Sequence, residues 1–337
     1  MISRRRFATA GAVLLAASAM PARAATPVRI GFVPVIGASA VYVLQGAGWA
    51  AADGLAITMT KFDSGPAAIQ ALASGTLDML AIGVAPLAVA RSKGIGVRIV
   101  AAGATGGSGF VAGPALAEAL ATGTPAQGFA AFRAKTGRRA KLATLPPGGV
   151  PTVLLHHWLW TIAKVDRADV EIVHMGIEAV QQAMLVGAVD GGTVLEPSRT
   201  LVLDRDPRLK SIVVANEMFA GIPGVAFGVT EKFADANRDA LDTLIRLLVR
   251  ATTLIETTPA EAAPHVAASL GGGLVDTGVF AKALASPAVI FGSDPRAIVA
   301  PTEALLAYQV ELGDFPTAPA TDGLFDLAAY ARALRTP

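Results

Sequence analysis

Cysteine is absent from all 337 residues. That excludes disulfides, thiolate metal centres, a cysteine nucleophile and a lipidated cysteine at a processed N-terminus. Charged residues amount to only 16%. Beyond the N-terminus no Lys/Arg block could follow a phosphate backbone, so nucleic acid is not an expected partner. No run there reaches the roughly 20 uninterrupted apolar residues of a membrane helix. Catalytic signatures are missing as well. There is no His-Glu-x-x-His zinc helix, and GGSGF at 106–110 has Phe110 where a nucleophile elbow needs its second Gly. A phosphate-gripping loop would end Gly-Lys-Ser/Thr, which the Gly-rich turn PPGGVPT at 146–152 does not. No enzyme, resident cofactor or metal is expected.

What is present is apolar. Hydrophobic residues make up 53%, mostly evenly spread Ala and Val, which describes a folded chain long enough for two domains. The first 24 residues read as an export signal: a basic start, a short Ala/Gly/Leu-rich stretch, then the small pair Ala22 and Ala24. Ser3-Arg4-Arg5-Arg6-Phe7 fits the twin-arginine variant of such signals. Cleavage after Ala24 would remove Arg4, Arg5, Arg6 and Arg23, leaving 24 basic against 26 acidic residues, a net charge of −2. The expectation is a soluble, unanchored protein outside the cytoplasm.

One phrase occurs twice. DSGPAAIQALASGTLDMLAIG at 63–83 aligns with MGIEAVQQAMLVGAVDGGTVL at 175–195 at an offset of 112, pairing Gln70 with Gln182, Gly75 with Gly187 and Asp78 with Asp190. Each copy reads as a helix stopped by Gly and followed by a strand buried on both faces. Around the first copy, strands are expected over 28–33, 55–61, 77–82 and 96–104, with a helix over 40–52. Around the second they are expected over 140–144, 170–174 and 189–195, with a helix over 152–164. From about Phe233 the chain turns helical, with Leu241, Leu244, Ile245, Leu248 and Val249 on one stripe. Alternating strands and helices imply an α/β architecture. Ligands in open parallel sheets bind beyond the strands' carboxyl ends, so two such lobes facing each other would enclose a small molecule.

VRIGFVPVIGASAVYVL, GLAITMTKFDSGPAAIQALASGTLDMLAIGVAP and VEIVHMGIEAVQQAMLVGAVDGGTVLEP resemble the solute-binding proteins of ATP-driven (ABC-type) importers for nitrate, sulfonates, taurine and the thiamine pyrimidine precursor. Ser64-Gly65-Pro66, Ala71-Leu72, Ser74-Gly75, Asp78, Gly83 and Pro86 carry the resemblance most specifically, and it runs from about residue 28 to 205. It implies a two-lobed periplasmic binding protein fold of type II, each lobe a mainly parallel sheet flanked by helices, with a hinge between. Residues 25–106 and 224–337 would form lobe 1 and residues 107–223 lobe 2, the C-terminal segment returning to complete lobe 1. It also implies a cleft ligand handed to a membrane permease and its ATPase.

Candidate ligand contacts follow the loops. Ser64 and Gly65 open a helix whose unpaired N–H groups could receive an acceptor-rich group. Gly148 and Gly149 permit close backbone approach, and Thr152 follows them. Gly37, Ser39 and Tyr42 follow the first strand. Gly83 and Val84 end the third, and His174 and Met175 precede the second repeat's helix. Glu196 has two readings, a pair with Arg199 or a ligand contact, and the resemblance tilts it toward the ligand. None of these loops contains Lys or Arg. A strongly charged dianion would ordinarily attract a bidentate Arg, so the expected ligand is a small organic molecule, neutral, singly anionic or amine-bearing. His156 and His157 point apart on one helix and read as surface residues instead of metal ligands. The function expected is capture of a solute by a monomer that delivers it to an importer. A thiamine-pyrimidine-synthase-like enzyme on the same fold, or a ligand sensor for a signalling partner, are the alternatives.

Overall fold

The computed structural model describes residues 25–335. The expected export signal at 1–24 lies outside the described residues. Eleven strands are found among them: β1 (Thr26–Phe32), β2 (Leu55–Lys61), β3 (Met79–Ile82), β4 (Val97–Gly106), β5 (Ser108–Ala112), β6 (Ala140–Thr144), β7 (Val170–His174), β8 (Gly191–Leu195), β9 (Lys210–Val214), β10 (Pro223–Thr230) and β11 (Val289–Phe291). They form two sheets, ordered β11-β4-β10-β3-β1-β2 and β7-β6-β8-β5-β9. Helices cover both, giving a two-lobed α/β molecule.

The sheets share one plan. A parallel trio (β2-β1-β3 in one, β7-β6-β8 in the other) continues into an antiparallel strand, β10 or β5, and then into β4 or β9. Each antiparallel strand is entered directly from the other sheet, β5 from β4 and β10 from the segment after β9. The mainly parallel sheets read from the sequence hold for the trios and not for these crossing strands. GGSGF, set aside as a failed catalytic turn, is one of the crossings.

The repeated phrase has a mechanical role. Asp78 N–H donates to the Arg29 carbonyl (2.8 Å) and Arg29 N–H donates to Asp78 Oδ2 (2.9 Å). Likewise Asp190 N–H donates to the Lys141 carbonyl (2.8 Å) and Lys141 N–H donates to Asp190 Oδ2 (2.8 Å). Arg29 and Lys141 are themselves 112 apart. Each Asp thus pins its own strand to the neighbouring strand, and a guanidinium, Arg29 or Arg138, closes over it. Gly75 and Gly187 both take positive φ (76° and 69°), ending the repeat helices as only glycine does cheaply.

Two helices depart from their periodicity. The one expected over 40–52 breaks at Gly48 (φ 73°) into Ser39–Gly46 and Trp49–Ala52. The one expected over 152–164 is α-helical over Val150–His156 and widens to π-helix over His157–Ile162. At the end of the π-helical segment Ile162 is 54% exposed, while Trp158 stays buried against Phe110 and Phe129 (ring centroids 4.7 and 6.2 Å).

The C-terminal third touches both lobes. β11 joins β4 at the edge of the first sheet, and helix Arg238–Thr257 buries Leu241, Leu244, Ile245 and Leu248, with half-buried Val249 beside them. Yet Lys282 pairs with Asp204 (2.7 Å), and Tyr308 packs on the His157 ring (4.7 Å). Among the described residues no helix is long and apolar enough to cross a membrane.

Candidate functional site

Between the two sheets lies a cavity reached by helix starts from both. Helix Gly65–Ala73 presents Gly65, helix Val84–Ser92 its N-cap Gly83, helix Val150–His156 its N-cap Gly149 and first residue Val150, and helix Ile177–Leu185 presents Ile177. The first N–H groups of a helix lack intrahelical partners, and the dipole places partial positive charge there. The local reasons are visible in the sequence: Pro66 and Pro151 sit within the first two helical positions, where a missing N–H costs nothing.

The wall repeats at the offset of 112. Val33 and Leu145, Gly37 and Gly149, Gly65 and Ile177, and Gly83 and Leu195 are four such pairs, and all eight residues line the cavity. Its floor is the crossing region, Gly106, Gly107 and Ser108, with Gly224 and Val225 from the return crossing. The lobes are close together here. A Cβ at Gly83 would stand 3.3 Å from Val150 Cγ2 across the cavity, and within the first lobe one at Gly65 would stand only 2.7 Å from Pro86 Cγ. Counted as space for the centres of water molecules, the volume is about 60 Å³. That exceeds the minimum for a single water, so the space admits a small guest.

Among the described residues no charged side chain lines the cavity, and Ser108 supplies the one side-chain hydroxyl. Among the described residues no other group engages that hydroxyl. Recognition would therefore fall to backbone N–H groups, one hydroxyl and apolar walls.

Of the residues singled out from the sequence, Gly37, Gly65, Gly83 and Gly149 line the cavity. Ser64 is the N-cap residue beside it, but its hydroxyl makes no capping bond. The others do not reach the lining. Tyr42 is wholly buried, its hydroxyl donating to the Val33 carbonyl (3.0 Å), and burial pushes its pKa well above the ordinary value. It holds a wall residue from behind. Thr152 likewise turns its hydroxyl back to the Leu145 carbonyl (2.5 Å). Ser39 and Val84 are buried in the core, and Ser39 Oγ finds no partner among the described residues. Gly148, at φ 82°, faces a separate groove with Pro147 and Phe315. His174 is exposed and its Nδ1 meets the Leu145 carbonyl (2.8 Å), while Met175 packs on the second sheet's own core.

Glu196 overturns the tilt toward a ligand contact. It is fully buried, and its carboxylate accepts from Arg199 Nη1 (3.1 Å), Thr200 N–H (3.0 Å), Thr200 Oγ1 (2.8 Å) and Ser286 Oγ (2.9 Å). A carboxylate has about four acceptor sites, so none remains for a guest. The two histidines are not surface residues either. Burial lowers the pKa of half-buried His156, and His157 Nδ1 meets the Met218 carbonyl (2.6 Å) between Phe219 and Tyr308. Among the described residues no three His, Asp or Glu gather as a metal site would require.

Sequence reading missed the crossing residues Gly106–Ser108 and the apolar wall. The repeat held the signal: extending the offset beyond 63–83 to Val33 and Gly37 reaches Leu145 and Gly149.

A family model described as the NMT1-like family matches residues 22–271. Among solved structures, the chain superposes on the periplasmic nitrate-binding protein NrtA of Synechocystis with a TM-score of 0.77 at 17% identity, covering 92% of this chain and 89% of that one. The alkanesulfonate-binding protein SsuA of Xanthomonas axonopodis, bound to MOPS, gives a TM-score of 0.69 at 19% identity, covering 90% and 99%. The ligand-binding component of an ABC-type import system from Staphylococcus aureus, with zinc bound, gives 0.76 at 14% identity, covering 92% and 100%. These likenesses establish the shared two-lobed fold. A curated sequence, the nitrate import ATP-binding protein NrtC of Synechococcus elongatus, is 28% identical over 127 residues. That match covers 37% of this chain and 19% of that protein, so the chain spans about a fifth of the length of the curated relative it matches.

Proposed function

The chain belongs to the NMT1-like family, and from that premise we propose that it is a periplasmic solute-binding protein serving the permease and ATPase of an ABC importer. The observation that carries the reading is the cavity's construction, with four helix starts, two from each lobe, converging on one space whose wall holds four pairs of positions 112 apart. A guest touching both lobes stabilises the closed form only through its greater affinity for that form, and closure is then the state a permease can read. Residues 25–106 with 224–337 and residues 107–223 are the two bodies we propose to move, about the crossings at Gly106–Ser108 and 215–223.

The proposed ligand is small, acceptor-rich, and neutral or singly anionic. Amine-bearing ligands drop out of the expected class, because the Glu196 carboxylate is used up and the helix starts offer donors only. A dianion would sit among apolar walls with no cation to pair it, which is costly.

Thermal shifts of the protein with acetate, acetamide, nitrate and bicarbonate, against sulfate and phosphate, test the ligand class. A binder present at about 100 times its Kd adds about 2.7 kcal/mol of stability, and small-angle scattering should show compaction at the same concentration. Selective capture of sulfate or phosphate, or binding without compaction, would contradict the proposal.

A further inference from the structure

The cavity floor contains two successive left-handed glycines, Gly106 (φ 70°) and Gly107 (φ 85°), between the two sheets. Glycine loses more conformational freedom on ordering than any other residue, so this stretch needs outside restraint to keep one shape. The restraint is a closed ring of hydrogen bonds. Glu196 N–H donates to the Gly107 carbonyl (2.9 Å), and Gly107 N–H donates to the Ala288 carbonyl (2.6 Å). Ala288 N–H donates to Ser286 Oγ (3.2 Å), and Ser286 Oγ donates back to Glu196 Oε1 (2.9 Å). Outside the ring, Arg199 and Thr200 neutralise and saturate the carboxylate. The Glu196 carbonyl accepts from Ile36 N–H (3.0 Å), one residue before Gly37 of the cavity wall.

We propose that Glu196 is a positioning residue: acting through Ser286, it holds Gly107 and Leu195 in fixed register at the cavity floor. Three distant segments, 106–107, 195–196 and 286–288, meet through this ring and the strands beside it. A carboxylate suits the task because it accepts several bonds at once. The ring ties the C-terminal segment to the crossing about which the lobes would turn. Its relevance to ligand capture rests on the binding reading above, whereas the ring itself is tested without ligand.

The test is hydrogen exchange at the Gly107 and Ala288 amides of the ligand-free full chain, in Ser286→Ala and Ser286→Thr. Ser286→Ala leaves the buried Glu196–Arg199 pair intact, so the fold should survive where removal of Glu196 itself could unfold it. Exchange at both amides should quicken at least tenfold in Ser286→Ala and return to the wild-type rate in Ser286→Thr, with the remote Gly137 amide unchanged in both. Unaltered exchange in Ser286→Ala, or equal quickening at Gly137, would overturn the proposal. Nitrate titration is the second arm. An apparent Kd raised at least fivefold in Ser286→Ala and not in Ser286→Thr supports positioning, and equal Kd values in both overturn it. A wild-type protein that ignores nitrate counts against the ligand class, and the exchange arm alone then decides the ring.

Discussion

Asp78 and Asp190 show how one residue type can organise a lobe. Each donates its backbone N–H to the adjacent strand and accepts that strand's N–H on its carboxylate while a guanidinium covers it, so each fixes strand register and charge together. Burial alone would raise the Asp78 carboxyl, but the hydrogen bonds and charge of Arg29, with Lys232 nearby, hold it below the ordinary range. The unfolded state therefore binds protons at a higher pH than the folded one. The contribution to stability is complete above the unfolded value of about 3.9 and is lost as pH falls through the lowered folded value. Asp78→Asn should cost about 1–3 kcal/mol at neutral pH. Urea melts of the two proteins should differ by a constant amount between about pH 5 and 8 and converge as pH falls through the lowered folded value. A gap that persists at low pH would show that the amide's shape, not the lost charge, sets the difference.

At the scale of elements, the helix from Val150 to Ile162 departs most from its sequence pattern. Regular α-helical spacing places Trp158 and Ile162 on one face, four residues apart. The π segment separates them and leaves Trp158 alone in the core between two phenylalanines. Trp158→Ala should cost about 3–5 kcal/mol, whereas Ile162→Ala should stay within about 0.5 kcal/mol. Both are read from denaturant midpoints, and a similar cost for the two would restore the regular helix. The same segment positions His157 against Phe219 and Tyr308, where the C-terminal third meets the second sheet.

For the molecule as a whole, the two lobes are bridged by Lys61, at the end of β2, and Glu178, in the first turn of helix Ile177–Leu185 (2.7 Å). Both side chains are largely exposed, so solvent screens the pair and its worth is about 0.2–1 kcal/mol. Glu178→Gln should loosen closure slightly. The apparent affinity for a cleft ligand should fall no more than about fivefold at low salt by that energy, and the difference should vanish near 1 M salt, where the screening length is about 3 Å. Titration calorimetry at the two ionic strengths measures it, and an effect indifferent to salt would place the cause elsewhere. The apolar cavity should by contrast be nearly insensitive to salt, because no ion pair lines it.

By itself the sequence determined the lobes' local grammar. The bounds of β2, β6 and β7 coincide with those read from alternation and turn residues, and Gly65 and Gly149 stand at helix starts because proline follows each within two positions. It also determined, through loops without Lys or Arg, that no cation would line the cavity. Only the tertiary structure decided where side chains face and which strands cross. Tyr42 and Thr152 turn away from the guest space because nearby backbone carbonyls satisfy their hydroxyls. Glu196 turns away because Ser286, ninety residues distant, completes its set of donors. Such choices depend on groups brought together by folding, and no periodicity within a single segment encodes them.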